Sequence, residues 1–163
     1  MSQQVDSVEA KLEALGLVLP GILKAPSGVA LPFELVRVRG KTAYISGHGP
    51  QNVDGSVAEP LGKVGADLTL EQGYAAAKLT GLSILSSLKS KLGSLENITW
   101  LKALGMVNVA PGFNNTPAVI NGFTDLILEL YGPERGSHAR SAVGMAALPF
   151  DIPVEIEAII ELD

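Results

Sequence analysis

The sequence predicts an α+β domain in the order α-β-β-α-β-α-β-β, with two long helices covering one face of a mixed sheet. Three observations carry this. Thr69 and Gln72 form a capping-box pair at the head of a long helical pattern. Thr116-Pro117 opens a second pattern, with proline at the first helical position, where its missing N–H costs nothing. The segment 153–162 alternates as a strand does. Val154, Ile156, Ala158, Ile160 and Leu162 take one face, and Glu155, Glu157, Ile159 and Glu161 take the other.

The first element is a short helix capped by Ser7, with Val8, Leu12 and Leu15 at helical spacing, ended by Gly16 and Pro20-Gly21. A loop through 25–28 leads to a strand at 33–38. The turn Arg39-Gly40-Lys41 then returns the chain as a second strand at 42–46, giving a hairpin. Residues 47–67, rich in glycine, proline and small polar side chains, read as an ordered loop. In the long helix that follows, Tyr74, Ala77, Gly81, Leu85, Leu88 and Leu92 form the apolar stripe and Gly93 the stop. A strand at 98–109 and a loop at 111–115 precede the second long helix. There Ile120, Phe123, Ile127 and Leu130 face inward and Gly132-Pro133 terminates the helix. Strands at 141–147 and 153–162 complete the chain. This divides it into an N-terminal helical extension, 1–20, and a main domain, 25–163.

Composition narrows the function. The 163 residues are 47% hydrophobic and 18% charged, with 12 Lys+Arg against 17 Asp+Glu and a formal net charge of −5. No basic stripe exists to neutralise phosphates, so nucleic acid and anionic membranes are not expected partners. The absence of cysteine excludes disulfides, thiolate nucleophiles and iron–sulfur ligation. The N-terminus has neither a basic region nor an apolar run, and no apolar stretch approaches the ~18 residues of a membrane span, so a cytoplasmic location is expected. Mean hydropathy is +0.30 with sparse charge. Such an apolar surplus points to surface covered by another subunit.

Among chemical motifs, His48 and His138 are the only imidazoles, and they lack metal-ligand spacing, so no metal site is expected. Ser46-Gly47-His48 is not a nucleophile elbow, and Gly62-Lys63-Val64-Gly65 is neither a phosphate loop nor a dinucleotide fingerprint. What remains is Arg135-Gly136-Ser137-His138-Ala139-Arg140-Ser141, followed by Pro149 and Glu155. An arginine at a strand entrance suits a carboxylate, because its planar fork binds two oxygens at once. A surface arginine paired with a glutamate, and an exposed glutamate on a strand, are the plain alternatives.

The block Arg140-Ser141-Ala142-Val143-Gly144, Leu148-Pro149 and Pro153-Val154-Glu155-Ile156-Glu157-Ala158 resembles the C-terminal signature of the RidA (YjgF) family. Tyr44-Ile45-Ser46-Gly47, Gly55 and Val119-Ile120-Asn121-Gly122-Phe123 fit its upstream blocks in order. The likeness spans about 25–162, and the N-terminal helix resembles the family's longer-chain branch. The resemblance implies a chorismate-mutase-like fold, assembled as a homotrimer with pockets between subunits. It further implies cofactor-independent hydrolysis of reactive 2-imino acids to 2-keto acids and ammonia. Carried over by position, Arg140 would hold the substrate carboxylate and Glu155 would position the attacking water. Ser46, Gly47 and Asn121 would line the pocket, and His48, directly after Ser46-Gly47, would either line and tune it or simply pack as a loop histidine. Phe33 stands where a pocket tyrosine is common, Ala142 where cysteine is common, and His48 where glutamine is common. Two other readings stay open. One is a non-catalytic module binding a small carboxylic or keto acid. The other is the endoribonuclease activity attached to the family's L-PSP name, which the acidic charge and the 5% aromatic content disfavour.

Overall fold

The computed structural model describes residues 7–25 and 27–163. Met1–Asp6 and Pro26, read above as part of the N-terminal extension and of a loop, lie outside the described residues. The order is α1 (Val8–Ala14), β1 (Val36–Arg39), β2 (Thr42–His48), α2 (Leu70–Leu92), β3 (Ile98–Asn108), α3 (Thr116–Gly136), β4 (Ala139–Met145) and β5 (Val154–Leu162), with a single 3-10 turn (Pro149–Asp151) before β5. This is the predicted α+β order.

The strands form one sheet, β1-β2-β5-β3-β4. Among the described strands only β3 and β4 run parallel, because α3 carries the chain across between them; the other pairs are antiparallel. α3 lies over β3 and β4, and α2 over β5, β2 and β1. Both helices therefore cover one face. That face supplies Ala43, Ile45, Ala103, Val107, Val154, Ile156, Ala158 and Ile160, all buried against Ile84, Leu85, Leu88, Ile120, Phe123 and Ile127. Each valine, leucine, isoleucine or phenylalanine side chain so removed from water contributes about 1.5–3 kcal/mol, and each alanine less. Close approach depends on two glycines. A Cβ at Gly105 would run into the Ile120 side chain, and one at Gly122 would stand 2.9 Å from the Tyr74 carbonyl carbon.

The capping predictions hold at both helix starts where side chains act. Ser7 Oγ accepts from the Ala10 amide (3.0 Å). Thr69 Oγ1 accepts from the Gln72 amide (3.1 Å), while Gln72 Oε1 accepts from the Thr69 amide (2.9 Å). Val8 and Leu12 join the main core, whereas Leu15 is exposed. Lys11 Nζ donates to the Leu130 carbonyl, and Glu96 Oε1 accepts from the Val8 amide, so α1 is fastened to the body at both ends.

Three expectations shift. The first strand begins at Val36, not at 33: its pairing with β2 starts at Val36–Ile45, next to the bulge at Ser46-Gly47. The segment predicted as a strand at 141–147 runs from Ala139 to Met145, the span that pairs with Lys102–Asn108. Helical assignment continues past Gly132-Pro133 to Gly136, but only across a break at Gly132 (φ 70°, ψ 177°); the continuous helix does stop where glycine permits left-handed backbone.

Candidate functional site

The candidate residues fall into two groups on opposite faces of the sheet. In β4, Arg140 pairs with Ala103 and Ala142 with Gly105. Those partners point to the helices, so Arg140 and Ala142 do too. Here β4 is an edge strand, and the guanidinium reaches over the start of α3. Arg140 Nη1 donates to Asn121 Oδ1 (2.8 Å) and to Thr124 Oγ1 (3.1 Å), and Nη2 reaches the Pro117 carbonyl at 3.5 Å. All three acceptors are neutral. Among the described residues no carboxylate forms an ion pair with Arg140. The guanidinium is thus oriented without being neutralised, leaving its charge for an anion. Ala142 packs partly against the core, and its carbonyl accepts from Thr116 Oγ1 (3.0 Å).

The second group lies on the open face. Glu155 pairs with Met106 on β3, one residue out of phase with the buried Val154 and Ile156. Its carboxyl group leans over Gly47; a Cβ there would sit 2.9 Å from Glu155 Cδ and closer still to Oε1. Only a residue without a side chain leaves that space. The register break in β2 between Ile45 and His48 sets Ser46 and Gly47 opposite Glu157 and brings Gly47 against the Glu155 carboxyl group, as bulges next to functional side chains often do. Burial, followed by the charge of Glu157 on the same face, raises the Glu155 carboxyl above the usual glutamate value. Ser46 ties the preceding segment to this edge. Its amide donates to the Leu35 carbonyl (3.0 Å) and its hydroxyl to the Glu34 carbonyl (2.7 Å). Phe33, 54% exposed, stands just before that tie, at the rim of a hollow of about 270 Å³ shared with Ile22, Ser87 and Lys91. Ser46 also borders a hollow of about 430 Å³ on the open face, with Arg37, Tyr44, Lys102, Glu157 and Ile159.

His48 joins neither group, and its surroundings fit the packing role that the sequence left open beside the pocket one. It pairs with Ile156, faces the helices and is 2% exposed. Nδ1 donates to the Ser46 carbonyl (2.6 Å), which leaves Nε2 to accept from the Ser87 hydroxyl on α2 (2.8 Å). Burial lowers its pKa, so the ring is neutral. The bulge is the reason: an extra residue between Ile45 and His48 returns His48 to the inner face, a shift that adjacency to Ser46-Gly47 does not reveal.

Sequence reasoning also left Thr124 and Pro117 unassigned. Thr124 lies three residues after Asn121, so helical spacing alone puts both on one face of α3. Among the described residues no group of three or more His, Asp or Glu side chains is placed to hold a metal, and no helix is long and apolar enough to cross a membrane.

Both long helices thus lie on one face of the sheet, with Arg140 at its parallel edge and Glu155 over Gly47 on the other face. The sequence profile of the family described as "YjgF/chorismate mutase-like, putative endoribonuclease" matches residues 9–160, and the chain belongs to that family. The chain is 38% identical over 157 residues to Protein TCP17 of Trypanosoma cruzi, covering 96% of this chain and 94% of that one. Among solved structures it resembles Atu1372 of Agrobacterium tumefaciens, a protein of unknown function (38% identity, TM-score 0.84, 96% of this chain and 92% of that chain). It also shares the fold of the Escherichia coli YjgF gene product (22% identity, TM-score 0.58, 88% of this chain and 98% of that chain).

Proposed function

We propose that this protein hydrolyses reactive 2-imino acids to 2-keto acids and ammonia, in a pocket shared between copies of the chain arranged as a homotrimer. The observation that carries the reading is the presence of an arginine oriented by hydrogen bonds and in no ion pair among the described residues, together with a half-buried glutamate over Gly47. Because Arg140 and Glu155 face opposite sides of one sheet, a site using both takes them from two protomers.

In this reading Arg140 grips the substrate carboxylate with the donors its α3 partners leave free, fixing the imine carbon in place. Glu155 accepts a proton from water as the water oxygen bonds to that carbon. That proton passes to nitrogen, giving a carbinolamine; its hydroxyl proton then moves to nitrogen as the C–N bond breaks, so that ammonia leaves and the carbonyl forms. A carboxyl group raised above its usual value is the better proton carrier near neutral pH. Water and the substrate supply every atom of the products.

Phe33 and Ala142 favour a second reading, a binding module for a small carboxylic or keto acid. They withhold the hydroxyl and thiol that the resemblance associates with the pocket. The test is direct. 2-Iminopropanoate generated in situ should yield pyruvate faster with the protein than without it. No acceleration, with pyruvate still protecting the protein against thermal unfolding, would select the binder.

A further inference from the structure

Behind Arg140 lies a hydrogen-bonded chain that the catalytic reading does not use. His138 Nδ1 is 2.8 Å from the Gly136 carbonyl, which can only accept. Nδ1 therefore carries the hydrogen, and Nε2 of the neutral ring is an acceptor. Thr124 Oγ1 is 3.1 Å from Nε2, so its single hydrogen goes to the imidazole. The hydroxyl oxygen is then left with lone pairs only, and Arg140 Nη1 donates into them at 3.1 Å. The direction of every bond follows from the Gly136 carbonyl.

The ring itself is held. Phe123 meets it edge to face, with centroids 5.5 Å apart. Burial in the first place, with the Arg140 charge contributing, lowers the His138 pKa and keeps the ring neutral. Thr124 sits on α3 and His138 just before β4, so the chain bridges the helix to the strand that bears Arg140.

We infer that Thr124 and His138 are positioning residues for ligand recognition, the Gly136 carbonyl–His138–Thr124 relay locking the Arg140 guanidinium in the orientation that meets a carboxylate. This rests on the proposed carboxylate-binding role of Arg140. A threonine free to turn its hydrogen toward the guanidinium would repel it. The imidazole acceptor removes that choice, so the arginine is set in place before the ligand arrives. Pre-organisation of this kind strengthens binding without adding a contact to the ligand.

The test measures pyruvate affinity by calorimetry on the intact protein. Thr124→Val keeps the shape and deletes the hydroxyl; Thr124→Ser keeps the hydroxyl. His138→Leu removes the acceptor; His138→Gln offers an amide oxygen at about the reach of Nε2. Thr124→Val and His138→Leu should each weaken pyruvate binding about three- to tenfold, the worth of one hydrogen bond. Thr124→Ser and His138→Gln should recover most of that loss. Arg140→Ala separates the two levels. If it abolishes pyruvate binding while Thr124→Val and His138→Leu bind as the parent does, the relay is overturned and the arginine reading stands. If Arg140→Ala itself binds pyruvate normally, the carboxylate site is elsewhere. If Thr124→Val and Thr124→Ser weaken binding equally, the hydroxyl orients nothing and the inference also fails. Should Thr124→Val fold poorly, the His138 pair carries the same comparison.

Discussion

The Glu155 carboxyl group occupies the space where residue 47 would carry a side chain, its Cδ 2.9 Å from the position of a Cβ on Gly47. That obstruction involves the movable end of a glutamate, not backbone. Gly47→Ala should therefore fold, losing about 1 kcal/mol or less of stability as the carboxylate swings aside. Turnover of 2-iminopropanoate should fall by about tenfold to a hundredfold, since an ångström of misplacement has that effect. Parent-like rates with Ala at 47 would remove Glu155 from the chemistry.

Glu155→Gln tests the same carboxylate without moving it. It should slow imine hydrolysis at least tenfold and leave pyruvate affinity within about twofold, because Glu155 handles water and not the ligand carboxylate. The sign of its effect on stability is also set. A carboxyl raised on folding binds protons more readily in the native state, so its stabilising contribution is present at low pH. That contribution is lost as pH rises through the native value, in the window above the ordinary glutamate pKa of 4.5. At pH 7 the glutamine variant should then melt no lower than the parent. A clear drop in Tm would contradict the burial that underlies the assignment.

Arg140 is expected to anchor the ligand. Arg140→Ala should remove about 2–5 kcal/mol of pyruvate binding if the ion pair is desolvated, against about 1 kcal/mol or less for a solvated contact. Arg140→Lys should restore little, because an ammonium cannot reproduce the fork that Asn121 and Thr124 orient. The folded state should survive both, as shown by unchanged circular dichroism.

His48 should matter for stability and not for the ligand. Its depressed pKa means that folding favours the neutral ring, so the contribution is whole above pH 6.5 and is lost as pH falls below it. His48→Leu strands the Ser87 hydroxyl and the Ser46 carbonyl and should cost about 1–3 kcal/mol. It should also flatten part of the Tm decline between neutral and acidic pH. Altered pyruvate affinity in this variant would place the ring nearer the site than its contacts do.

The open sheet face should be covered by other copies of the chain. Tyr44 pairs with Ile159 there, and Leu104 and Met106 lie on the same side. Light scattering at low micromolar concentration should return a trimeric mass. A monomeric mass would leave Arg140 and Glu155 without a common pocket.

How much of this was readable before the fold is clearest at individual residues. The 153–162 alternation alone separates Glu155 from the core, and the capping pair Thr69–Gln72 alone starts α2. Asn121, Arg140 and Ala142 are legible as a family block, but their grouping is not. Asn121 meets Arg140 only because the crossover helix α3 returns the chain to lie parallel beside β3. For His48 the sequence offers only its adjacency to Ser46-Gly47, in a segment that reads as loop; β2 instead continues through His48, and a bulge that spends one residue without advancing the register turns the ring inward.

By itself the sequence determined the elements, their order, the charge that disfavours nucleic acid, and the residue types fit to hold a carboxylate and move a proton. These are local properties: period, caps and side-chain chemistry act over a few residues. Only the tertiary structure decided that Arg140 and Glu155 stand on opposite faces, that Gly47 makes room for a carboxylate, and that His138 reaches Arg140 through Thr124. Those relationships depend on strand register and on which face each helix covers. Both are fixed by burial of the whole apolar set at once, so no single segment contains them.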